Sequence, residues 1–326
     1  MPFGAQVLPD GRVRFRLWAP AAARVELVLE SSAGAERTLP LAMSVDGWHE
    51  LTTRHAPAGS RYRYRIDGGT LVPDPASRRN PRGVHGPSEV VDPGSFDWTD
   101  AAWRAPPWRQ AVLYELHVGT FTPEGTFAGV TDKLEHLQRL GVTAIELMPV
   151  AEFPGSRSWG YDGVLPYAPA SAYGPPEELK SLVCAAHARG IAVMLDVVYN
   201  HFGPEGNFLH LYAPQFFTDR HATPWGAAID FERPGGRAVR DFFVHNALYW
   251  LEEYHLDGLR LDAVHAIFDA GEPHILTEIA RAARSGPGRE RPVYLVLENL
   301  ANEAHRLGPD GAAEAFDAQW NDDSPH

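Results

Sequence analysis

A chain of 326 residues with 44% apolar content is long enough for roughly two domains and for large buried cores. Its net charge of −13 argues against nucleic acid or an anionic membrane surface as a partner. The single cysteine, Cys184, leaves no intramolecular disulfide; with no signal-peptide pattern and no apolar run near the roughly 18 residues of a membrane span, a cytoplasmic location is expected.

Residues 1–95 alternate apolar and polar positions in short runs: Val13 to Trp18, Val25 to Glu30, Trp48 to Leu51 and Tyr62 to Ile66. Turn signals separate them, among them Pro9-Asp10-Gly11, Asp46-Gly47 and Asp67-Gly68-Gly69. Period-two runs at this spacing predict an Ig-like β-sandwich. Trp18, Trp48, Tyr62 and Tyr64 fit either its core or a sugar-stacking surface. The stretch 73–107 is rich in Pro, Gly and Arg and reads as a tether, with 96–107 as the linker proper.

Residues 108–326 switch to strands alternating with helices. Strands are predicted at Val112–Val118, Val142–Met148, Ile191–Val198, 257–265, Pro292–Leu297 and Ala315–Trp320. Helices are predicted at Val130–Leu140, closed by Gly141, and at Pro175–Arg189, Arg237–His255 and Ile275–Ala283. Repeated alternation means a parallel α/β fold. No Gly-x-Gly-x-x-Gly turn follows the first strand, and polar motifs follow successive strands, which favours a (β/α)8 TIM barrel over a dinucleotide-binding sheet. Six strands fall short of eight, so the barrel is expected to be incomplete and the chain to be a C-terminally shortened version of a longer enzyme.

Chemistry concentrates at the strand ends. In Asp257-Gly258-Leu259-Arg260-Leu261-Asp262-Ala263-Val264-His265, period two places Arg260, Asp262 and Val264 on one face. A guanidinium two residues from a carboxylate fits a structural ion pair or an aimed nucleophile. Tyr161, in Ser158-Trp159-Gly160-Tyr161-Asp162-Gly163, fits a packed loop aromatic or a platform for a sugar ring. Glu115 reads as a buried pairing residue. No dense Asp/Asn cage follows Asn200, so neither a metal nor a cofactor is predicted.

Three motifs together resemble the α-amylase superfamily, the family 13 glycoside hydrolases: Asp196-Val197-Val198-Tyr199-Asn200-His201, the Arg260–Asp262 strand, and Tyr294-Leu295-Val296-Leu297-Glu298-Asn299. The resemblance implies Asp262 as catalytic nucleophile and Glu298 as general acid/base, the latter in an apolar surround that keeps it protonated near neutral pH. It implies His201, Tyr161, Arg260 and His265 as substrate-binding residues, and Asp196 and Asn200 as organisers of the site. In some relatives the Asn equivalent to Asn200 helps bind calcium. Retaining chemistry of this kind needs the two carboxyls about 5–5.5 Å apart.

Longer strings, from Tyr114 to Thr126, from Val198 to Asn207, from Leu259 to Ile267 and Trp320-Asn321-Asp322-Asp323, are similar to the maltooligosyltrehalose trehalohydrolase branch of that superfamily. That similarity implies hydrolysis of the α-1,4 bond beside a terminal trehalose unit, with maltooligosyltrehalose or a related α-glucan as partner. Two departures are visible: the acidic pair is followed by Ser324-Pro325-His326, and the superfamily's third carboxylate, after a seventh strand, has no counterpart. The alternatives are a glycogen branching enzyme and a non-catalytic glucan-binding protein.

Overall fold

The structure, a computed structural model, describes residues 1–30, 36–308 and 314–321. The N-terminal part is two antiparallel sheets. One orders Gly4–Val7, Val13–Trp18, Trp48–Thr53 and Ala42–Met43; the other orders Arg37–Pro40, Val25–Leu29, Arg61–Ile66 and Leu71–Val72, with Ser88–Glu89 beside Arg61–Ile66. Strict alternation in Arg61–Ile66 turns Tyr62, Tyr64 and Ile66 inward. Both tyrosine hydroxyls donate to Asp74, at 2.8 and 3.2 Å. They and Trp18 are core, not sugar platforms. Trp48 is half-buried, with the Arg16 guanidinium 4.0 Å above its ring.

The second part is a curled sheet of six strands, all parallel and adjacent in chain order: Leu113–Leu116, Ala144–Leu147, Ala192–Val197, Gly258–Leu261, Tyr294–Glu298 and Ala318–Trp320. Among the described residues the first and sixth do not pair, so the sheet is an incomplete TIM barrel. Outward residues such as Ile145, Leu195, Leu259 and Leu297 join one core with the covering helices. Inward residues Ala144, Ala192, Met194, Tyr294 and Val296 form a second, smaller cluster.

The longer helices are Phe127–Leu140, Pro176–His187, Arg237–Glu253 and Ile275–Ser285. The first starts three residues before its predicted position because the Thr126 hydroxyl accepts from the Gly129 N–H at 3.1 Å; it ends at Gly141, whose φ of 90° no β-carbon would favour.

Three expectations change. The first strand stops at Leu116, because His117 caps a helical turn, Val118–Phe121. The fourth stops at Leu261: Ala263 takes φ 42° and opens a 3-10 turn, Val264–Ala266, so Val264 leaves the face of Arg260 and Asp262 and enters the core. Residues 73–107, the expected tether, are themselves packed against the second part. The Trp103 indole N–H donates to Asp257 at 2.8 Å, Trp98 stacks on His255 at 3.6 Å, and Trp108 packs 5.3 Å from Tyr294. Trp103 and Trp108 pack against the inward-facing cluster of the sheet, and Trp98 against the core under the helices. Asp322 and Asp323 lie outside the described residues.

Candidate active site

Parallel register sets Asp196 directly opposite Arg260, and Glu298 opposite Trp320. Paired residues of neighbouring strands point to the same side, so these groups rise together at the C-terminal mouth, where barrel enzymes hold their chemistry. Arg260 is the hub. Its Nη1 donates to Asp196 at 2.6 Å and to Asp262 at 2.9 Å, and its Nη2 lies 3.9 Å from Glu298. The same guanidinium lies over Trp320, 5.7 Å from the ring centre.

Asp262 is held from both sides. One oxygen accepts from Arg260, the other from the Asn200 amide at 3.2 Å. The same amide donates to the Asp262 carbonyl at 3.2 Å and contacts that of Ala263 at 3.4 Å, fixing the turn after the strand. The left-handed turn also aims the Ala263 N–H at Glu298 Oε2. The surround of Glu298 is therefore not the apolar one expected: an N–H and a guanidinium face it, and the carboxyl stays partly exposed. Asp262 is likewise partly exposed.

Asp196 is fully enclosed. Burial pushes its pKa up to about 7, reinforced by the Asp262 charge and opposed by Arg260 and by the Tyr161 hydroxyl, which donates to it at 3.0 Å. Tyr161 is thus tied into the site through its phenol, a contact that the sequence does not reveal. Its loop owes its path to Gly160 at φ +102°, where a β-carbon would sit 2.2 Å from the Pro149 carbonyl.

His201 is buried, which lowers its pKa. Its Nδ1 meets the Asn200 side-chain oxygen and its Nε2 the Tyr161 carbonyl at 3.0 Å. A neutral ring donates to only one of these two oxygens. Trp225, at the turn of the hairpin Phe217–Thr223 and Gly226–Ile229, stacks on that ring at 5.3 Å. It lies 24 positions beyond His201, and its residue type is the only signal in the sequence.

Two residues fall outside this network. His265 is exposed on its 3-10 turn and makes no hydrogen bond, ion pair or ring contact among the described residues. Glu115 is exposed, not a buried pairing residue, because among the described residues the first strand has no neighbour on its outer side. Its register partner Glu146 is instead fully buried, with neither carboxyl oxygen hydrogen-bonded among the described residues. Among the described residues no group of three or more His, Cys, Asp or Glu could hold a metal ion.

Comparison with known proteins fits this geometry. Residues 87–216 match the alpha-amylase catalytic domain, and residues 2–92 match carbohydrate-binding module 48, the isoamylase N-terminal domain. The chain is 43% identical to the malto-oligosyltrehalose trehalohydrolase of Saccharolobus solfataricus, over 100% of its own length and 56% of that protein. The chain belongs to the α-amylase family. A crystal structure described as an alpha amylase from Salmonella typhimurium is 48% identical and superposes with a TM-score of 0.91, over 98% of this chain and 54% of that one. A 1,4-alpha-glucan branching enzyme from Corynebacterium jeikeium is more distant, 36% identical over 80% of this chain and 39% of that protein. The chain spans about half the length of the relatives it matches. No helix among the described residues is long and apolar enough to cross a membrane.

Proposed function

We propose that the chain carries the catalytic carboxylates of a retaining glycoside hydrolase, with Asp262 as nucleophile and Glu298 as acid and base. The observation that carries this reading is the shared guanidinium: Arg260 reaches both carboxyls, at 2.9 and 3.9 Å, from the ends of adjacent strands. Asp262 attacks the anomeric carbon as the glycosidic C–O bond breaks, and Glu298 passes its proton to the departing oxygen. Water then attacks the glycosyl-enzyme, giving its proton to Glu298 and freeing Asp262. His201 and Tyr161 hold the sugar; Asp196 and Asn200 keep Arg260 and Asp262 aimed.

The bond we assign is the α-1,4 linkage beside the terminal trehalosyl unit of maltooligosyltrehalose, so that the product is trehalose, formed in the cytoplasm. The names of the relatives support this choice over branching. The division into 1–95 as glucan-positioning sandwich, 96–107 as linker and 108–326 as catalytic part belongs to the same reading. The test is incubation of the chain with maltotriosyltrehalose. Free trehalose, lost in Asp262→Asn and Glu298→Gln, supports the proposal. New α-1,6 branches would indicate the branching reaction instead, and binding without turnover a non-catalytic glucan binder; either result overturns it.

A further inference from the structure

Glu146 lies inside the barrel, beneath the site, and the chemistry above does not use it. Parallel register sets it level with Met194, Gly258 and Tyr294 on the next three strands, two residues below the level of Asp196 and Arg260. Side chains two apart on a strand point the same way, so Glu146 belongs to the layer directly under the Asp196–Arg260 pair. Met194 and Gly258 carry no side-chain donor, and the Tyr294 hydroxyl donates elsewhere, to the Pro106 carbonyl. In these two layers four polar atoms are buried with no hydrogen bond among the described residues: both Glu146 carboxyl oxygens, Asp196 Oδ1 and Arg260 Nε.

The charged groups that act on Glu146 are Glu115 on the first strand, Asp196 on the third and Arg260 on the fourth. Arg260 already serves Asp196 at 2.6 Å, Asp262 at 2.9 Å and Glu298 at 3.9 Å. In a space closed to water one guanidinium does not balance Glu146 as well, so a proton has to be kept there. Hydrogen bonding decides which carboxyl keeps it. Asp196 accepts from Arg260 and from the Tyr161 hydroxyl at 3.0 Å, and both bonds favour its charge. Glu146 accepts from neither, so the proton of this pair stays on Glu146.

We propose that Glu146 is a positioning residue that acts through Arg260: as a neutral acid it leaves the guanidinium to Asp196, Asp262 and Glu298, and as an anion it draws the unpartnered Nε–H and turns the fork off the catalytic pair. The inference rests on the hydrolase reading of the site and adds an alkaline limit built into the barrel. A buried carboxylate needs a charged donor, and Arg260 Nε is the donor still open in the layer above it. Glu146 is 0% exposed, so it touches no substrate and is not a catalytic residue. Its effect on the reaction passes through the aim of the guanidinium alone.

The test is nuclear magnetic resonance of the 326-residue chain carrying isotope-labelled arginine, with the Arg260 Nε–H signal assigned by its loss in Arg260→Lys and followed as pH is raised. In wild type the signal is expected to shift in a step centred near pH 8, the value to which burial and the Asp196 charge push Glu146. The step is expected to be absent in Glu146→Gln and Glu146→Met, neither of which ionises. A side chain with a structural role alone would leave the signal flat in all three. A flat wild-type signal, or the same step in Glu146→Gln, overturns the positioning role. Trehalose release, scored separately, decides the reaction. A chain that shows the step yet releases no trehalose keeps the coupling of Glu146 to Arg260 and loses the hydrolase reading; release without the step keeps the hydrolase and overturns the proposal.

Discussion

Replacing Glu146 by glutamine removes a titration while keeping a shape. The side chain is 0% exposed and sits inside the barrel, with Glu115 on the first strand, Asp196 on the third and Arg260 on the fourth as its charged neighbours. Burial, then the Asp196 charge, pushes its pKa from 4.5 up to about 8, with Arg260 opposing. The folded state therefore holds a proton that the unfolded chain has released. A raised pKa contributes stability that is fully present below 4.5 and is lost as pH rises toward 8. Each pH unit inside that window removes about 1.4 kcal/mol, so about 3 kcal/mol disappears between about pH 5 and 7. Glutamine mimics the neutral acid and has no such slope. Urea unfolding followed by tryptophan fluorescence at several pH values gives the two curves. Wild type is expected to lose stability relative to Glu146→Gln on going from pH 5 to 7. Parallel curves would refute the argument and show that Glu146 is already ionised in the folded protein.

Arg260→Lys replaces a planar fork that meets three carboxyls with a single point charge; on the proposed reading, trehalose release is expected to fall on the order of 100-fold, with the circular dichroism spectrum unchanged. Gly160→Ala drives a β-carbon to 2.2 Å from the Pro149 carbonyl, and a loss of about 1–3 kcal/mol is expected in urea unfolding. Asp257→Asn removes a buried charge that accepts from the Val193 N–H at 2.8 Å and from Trp103 at 2.8 Å, and that faces His187 at 2.9 Å and Arg291 at 3.6 Å. About 3 kcal/mol of stability is expected to go with it, seen as a lower melting temperature.

The strand ends were legible because two local signals coincide there. Near-continuous apolar runs mark buried parallel strands, and a charged residue at the end of such a run has few structural uses. Asp196, Arg260, Asp262 and Glu298 all carry that signature. What escaped is non-local. The bond from Tyr161 to Asp196 spans 35 positions, and the stack of Trp225 on His201 depends on how a hairpin folds back. The exposure of Glu115 and burial of Glu146 follow from which strand is at the sheet edge, a property of assembly invisible in either residue's own neighbours. The surround of Glu298 turned polar for a similar reason: a left-handed turn at Ala263, on the adjacent strand, supplies the donor.

Arg78 shows what joins sandwich to barrel. Its guanidinium is wholly enclosed, donates to the carbonyls of Ala76 at 2.6 Å and Phe3 at 3.2 Å, and lies against the rings of Tyr167 and Tyr249 at 4.8 and 4.5 Å. Swinging one body against the other would pull the guanidinium off the rings of Tyr167 and Tyr249, so a hinge at this junction gives up those cation–ring contacts and the packing around them. The N-terminal module is better regarded as a fixed wall of the enzyme than as an arm that fetches polysaccharide, and a cut between the two bodies would expose the same cation.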